Sequence, residues 1–274
     1  MGSTVARSVT VVGLGSIVAS VAYLAVSGGG LRYTADSANT VALWQPWIPA
    51  LAGAAVALMI RPANEPETAT HPRYQAWILL GCAVGFAAGL LVLGTDEPKY
   101  LGLKLLFLAA VPVVMFSLAR TRGAGAPDDL LPSTRSAWWR PAAPVAAYVV
   151  AFLLVAPTRP PLLAGLPVVD AVLVLLIGFG INAVLEEFFY RRWLLDRWRE
   201  ILGPWPAIAL SSVVFALWHV AIQGTGEPIR DVANALAYQG VSGVFLGFLW
   251  VRFRMMWPLL VIHGIWNANP LNLF

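Results

Sequence analysis

The stretch VVDAVLVLLIGFGINAVLEEFFYRRWLL, Val168 to Leu195, begins as a run of valine, leucine and isoleucine broken by one aspartate. It then meets two glutamates and two arginines in quick succession. A run of roughly 18 or more apolar residues reads as a membrane-crossing helix, because hydrocarbon cannot satisfy an open backbone and a helix bonds its own polar groups. Nine apolar segments recur along the chain: Ser8–Ser27, Val41–Ile60, Ala76–Gly94, Leu101–Ala119, Ala142–Ala156, Val168–Tyr190, Pro204–Ile222, Val232–Trp250 and Met255–Asn269. That recurrence leaves one fold class, an all-α polytopic transmembrane helical bundle of about nine spans (eight to nine). Only 12% of the residues are charged, about half the share found in soluble domains.

The linkers carry helix breakers, as in RPANEPETATHPR (61–73) and RTRGAGAPDDLLPSTRSAWWRP (120–141). The second, Thr121 to Pro141, is the longest polar interruption. It marks the expected boundary between four accessory N-terminal spans, residues 1–140, and a helical core, residues 141–274. No repeat of fixed period is present. Arg7 precedes an apolar run without a convincing cleavage site, so Ser8–Ser27 reads as the first span and not as a signal peptide. The single cysteine, Cys82, allows no intramolecular disulfide.

The net charge of +4 is not a nucleic-acid footprint, since basic residues of such chains sort to cytoplasmic loops. With the amino terminus inside, thirteen of the eighteen basic residues fall on the inner side, leaving Arg32, Lys99, Lys104, Arg159 and Arg230 elsewhere. The expected topology is amino end cytoplasmic, carboxyl end outside, in the cell membrane. Lys99 and Lys104 are the only lysines; the arginine bias, with abundant alanine, glycine and valine, suggests GC-rich coding and a bacterial source.

Ionised side chains near mid-membrane cost roughly 2.5–3.5 kcal/mol on insertion scales, so they face protein or a water-filled cavity. Three places in the second half break the apolar pattern, each a pair at helical spacing. Glu187 and Arg191 are four apart and can ion-pair on one helix face. Glu186 lies about 100° around from Glu187 and serves a different purpose. In FALWHV, Phe215 and His219 share a face; in HGIWN, so do His263 and Asn267. Each alone is equally well a boundary cap or a helix–helix polar contact of about 0.6 kcal/mol. If the helix from Val168 continues through RRWLLDRWREIL and turns at Gly203-Pro204, Glu186 and His219 stand opposite each other at nearly equal distances from the turn.

In this order on successive spans, Glu186-Glu187-x-x-x-Arg191, Phe215-x-x-x-His219 and His263-x-x-x-Asn267 resemble the motifs of the CPBP family. These are the CAAX-prenyl-protease and bacteriocin-processing intramembrane proteases, also called the ABI family. The resemblance covers roughly Val168 to Pro270, and the first four spans show nothing that matches. One departure is Arg192, where many relatives have glycine. The resemblance implies peptide-bond hydrolysis inside the bilayer, which needs a base to activate water and donors to hold an oxyanion. In that reading Glu186 is the base, His219 positions the water, and His263 with Asn267 forms the oxyanion hole. Glu187 with Arg191 orients Glu186, and Phe215 packs as a wall of the site.

Glu186, His219 and His263 could instead hold zinc as a two-histidine, one-carboxylate site. No H-E-x-x-H pair is present, and the reading preferred is one with no metal or other cofactor. Competing classes are a haem protein with His219 and His263 as axial ligands, a proton-coupled transporter, and an immunity or assembly factor that keeps the fold without cleaving. The transporter would favour repeated, broken helices. The expected partners are a peptide or membrane-protein substrate and the lipid bilayer, not nucleic acid.

Overall fold

The computed structural model describes residues 3–28, 30–32, 40–62, 71–122, 137–156 and 163–268. Among these residues each apolar segment becomes a helix: α1 (Ser3–Ser27), α2 (Trp47–Met59), α3 (Arg73–Leu93), α4 (Glu97–Thr121), α5 (Ala142–Val155), α6 (Val168–Leu202), α7 (Pro204–Gln223), α8 (Pro228–Phe253) and α9 (Met256–Asn267). A two-residue ribbon, β1 (Leu31–Arg32) against β2 (Thr40–Val41), is antiparallel. Six helices, α1, α3, α4, α6, α7 and α8, are long and apolar enough to cross a membrane. Among the described residues six helices thus meet the length and composition of a span, where eight to nine were expected. At 1.5 Å per residue, 12 to 14 residues reach about 20 Å, short of a hydrocarbon core of about 30 Å. Helices α2, α5 and α9 fall in that range.

Helix α6 runs unbroken for 35 residues, and Gly203, at φ +90°, turns the chain back into α7. Glycine takes this backbone conformation without a Cβ clash. The hairpin is locked where the Ser211 hydroxyl donates to the Tyr190 carbonyl at 2.8 Å and where the Tyr190 and Phe215 rings meet edge to face at 5.2 Å.

Small residues let the helices approach closely, as is common between membrane helices. Along α8, Gly243 faces Ser212 of α7, Gly247 faces Leu195 of α6 and Ile208 of α7, and Gly240 faces Ile17 of α1 with Ala216 of α7 beyond it. On its other side α7 meets α1, where a Cβ on Gly13 would lie 3.0 Å from that of Ala209. The first four helices thus pack directly on the later ones. The boundary expected within 121–141 falls mostly in residues 123–136, outside those described.

Polar contacts gather at the two ends of the bundle. At one, Asp196 accepts from the Trp250 indole at 2.9 Å and, with both oxygens, from Arg254. Near it, Arg197 donates to Gln75 at 2.8 Å and Arg252 to the Ala57 carbonyl at 2.6 Å. At the other, Arg32 donates to the Gln223 carbonyl at 2.7 Å, and Asp231 accepts from the backbone N–H groups of Thr225 and Gly226.

Candidate active site

The α-helical turn Leu185–Glu187 sits between two wider π-helical stretches of α6, Gly178–Val184 and Phe188–Leu195. Such turns shift side chains off the regular helical phase and are frequent at functional sites. Glu186 and Glu187 are both buried, and they turn to different partners.

Glu187 faces α9 and the next turn of its own helix. Its Oε1 is 2.7 Å from Nδ1 of His263, and its Oε2 is 3.3 Å from Nε of Arg191. The Arg191 guanidinium is fully buried and lies 4.3 Å over the Phe215 ring. The spacing-based pairing of Glu187 with Arg191 is present.

Glu186 faces α4. Its Oε1 accepts from the ammonium of Lys104 at 2.5 Å, while its Oε2 lies 3.8 Å from Nε2 of His263. Lys104 is itself fully buried. Its other two donors reach the Tyr100 hydroxyl and the Asn182 carbonyl oxygen, each at 2.6 Å. Each buried carboxylate therefore has its own cation, Glu186 with Lys104 and Glu187 with Arg191. The first pair is hydrogen-bonded, whereas the second is a close approach of charges without a hydrogen bond; buried charges persist when paired.

His219 packs edge to face with Phe215. Its Nδ1 is 2.9 Å from the Phe215 carbonyl oxygen, which can only accept, so Nδ1 carries the proton and Nε2 of the neutral ring keeps a lone pair. The imidazole stacks on Trp218 at 3.7 Å. Phe215 touches both histidines, at 5.1 Å from His219 and 6.3 Å from His263 between ring centroids. Asn267 is different: it ends α9 one turn beyond His263, exposed, with no hydrogen bond or ion pair to the described residues. The structure brings Glu186, Glu187, Arg191, Phe215, His219 and His263 together and leaves Asn267 at the surface.

Several buried polar atoms around Phe215 have no protein partner among the described residues, namely the Tyr190 hydroxyl, the Trp218 indole N–H and both terminal nitrogens of Arg191. Buried groups of this kind ordinarily bind water.

Lys104, Tyr100, Asn182 and Trp218 were not among the expected site residues. A signal existed for the first: a lysine inside an apolar run, with Tyr100 four residues before it. Nothing local shows that it reaches a glutamate 82 positions away.

Zinc would require Glu186, His219 and His263 to aim three lone pairs at one point. Among the described residues no three His, Cys, Asp or Glu side chains are placed to hold an ion, and one oxygen of Glu186 already carries an ammonium. Phe215 lies against both imidazoles, in the space that a haem between the two histidines would take.

Fold and site together define a helical membrane protein with an interior paired-carboxylate, two-histidine centre. Residues 168–269, which span α6 to α9, match the family model described as type II CAAX prenyl endopeptidase Rce1-like. The match agrees with the CPBP/CAAX proteases that the three motifs of this segment resemble. Comparisons with curated proteins and with solved structures give no match.

Proposed function

We propose that the protein is a multi-pass, cell-membrane endopeptidase in which Glu186 activates water to hydrolyse a peptide bond of a membrane-associated protein or peptide. The observation that carries this is the gap between Oε2 of Glu186 and Nε2 of His263. The two atoms are 3.8 Å apart, and an oxygen about 2.8 Å from each fits there. The other side of each group is committed, to Lys104 and to Glu187 respectively.

In this reading Glu186 takes a proton from the water through Oε2, and the hydroxide adds to the scissile carbonyl carbon. Nε2 of His219, held as an acceptor, orients the second water hydrogen. The oxyanion is met by donors. His263 can donate through Nε2 only as imidazolium, because its Nδ1–H is committed to Glu187, whose carboxylate balances that charge. Asn267 supplies a second donor to a substrate entering along the exposed end of α9. As the tetrahedral adduct collapses, the proton on Glu186 passes to the leaving amine.

The matched family's description makes a farnesylated CAAX peptide, quenched until cleaved, a reasonable first probe for reconstituted protein. Wild type should cleave it with activity unchanged in strong chelator. Glu186→Gln keeps the shape and the Lys104 contact but cannot take the proton, so turnover should fall about 10²- to 10⁴-fold. Proteomic comparison of wild-type and Glu186→Ala strains should then show a peptide fragment present only in the wild type. Chelator-sensitive cleavage restored by zinc would overturn the metal-free mechanism, and turnover by Glu186→Gln at the wild-type rate would remove Glu186 as the base.

A further inference from the structure

An ionisable residue inside a membrane bundle is a functional candidate by default, with its partner named. Lys104 lies outside the matched segment, on α4, yet its ammonium is fully enclosed with each N–H used. The three acceptors are Glu186, Tyr100 and Asn182, at 2.5, 2.6 and 2.6 Å. The Tyr100 and Trp218 rings close over it at 4.7 and 5.3 Å. Asn182 lies one turn before Glu186 on α6, and Tyr100 one turn before Lys104 on α4, so each helix supplies one charge of the pair and one neutral acceptor. A full set of short contacts leaves the ammonium one position and Oε1 of Glu186 one direction.

We infer that Lys104 is a positioning residue of the active site. By holding Oε1 it fixes the carboxylate plane of Glu186, so that Oε2 alone is presented to the gap beside His263. It also balances the charge of Glu186 in an interior that solvates neither group. The catalytic unit then extends from the matched segment into α4. This inference rests on the role proposed for Glu186.

Lys104→Met keeps length and removes the charge. On the farnesylated CAAX peptide it should lower kcat at least 10-fold with KM changed less than about 3-fold, because a fully enclosed side chain does not meet substrate. A thermal cycle reads the pair without any substrate. Lys104→Met and Glu186→Gln should each lower the unfolding midpoint by roughly 5–15 °C. The double variant, with no charge left unpaired, should recover most of that loss and stay inactive. Additive losses in the cycle, or wild-type kcat for Lys104→Met, would overturn the inference. Failure of the wild type to cleave the peptide would count against the peptidase reading, and the thermal cycle would still decide the pair.

Discussion

Both interior histidines have Nδ1 committed, one to a backbone carbonyl and one to a carboxylate. Their chemistry is thereby divided: His219 offers a lone pair, and His263 offers a proton only when charged. Asn267 stands apart, exposed and with no side-chain hydrogen bond or ion pair to the described residues, so a structural and a catalytic role separate in one experiment. Asn267→Ala should leave the thermal midpoint unchanged, because no such bond is lost. It should lower kcat about 10²- to 10³-fold, the usual effect of removing one oxyanion donor. Unchanged kcat would make Asn267 a bystander. Glu187–Arg191 and Phe215 beside His219 were legible in the sequence because four-residue spacing puts two side chains on one helix face. Lys104 with Glu186 was not, because that contact depends on how α4 docks on α6. The exposure of Asn267 was not legible for a related reason. Spacing gives the face of a helix, not the depth at which the helix ends.

The hairpin of α6 and α7 was likewise readable, since Gly203-Pro204 is a strong stop and restart between two apolar runs. What Gly240, Gly243 and Gly247 of α8 pack against is a tertiary fact that no local pattern shows. Gly243 is the tightest of the three: a Cβ there would lie 3.0 Å from both Cα and Cβ of Ser212. The Cα belongs to backbone and cannot swing away, so α8 itself would have to move off α7. Gly243→Val should therefore cost about 1–3 kcal/mol, seen as a lower unfolding midpoint in detergent. Gly102, with nothing near its would-be Cβ, is the control, and Gly102→Ala should hold the wild-type midpoint. Equal midpoints for Gly243→Val and wild type would mean that α7 and α8 do not pack as closely as described.

Across the whole bundle, three of the basic residues assigned by count to one side meet at one end. Arg197, Arg252 and Arg254 are tied there to α3, α2 and α6. Which side of the membrane that end faces follows from the positive-inside rule and not from geometry: an excess of arginine in short loops holds them in the cytoplasm. Two exposed positions at opposite ends read it directly. Pro62 follows α2 at the arginine-rich end, and Thr95 lies between α3 and α4 at the other. With the buried Cys82 replaced by alanine, Thr95→Cys should react with a membrane-impermeant maleimide on intact cells. Pro62→Cys should react only after the membrane is opened. The reverse pattern would turn the bundle over and put the amino terminus outside. Labelling of both positions on intact cells would mean that α3 does not cross, which would reduce the six long helices to fewer true spans.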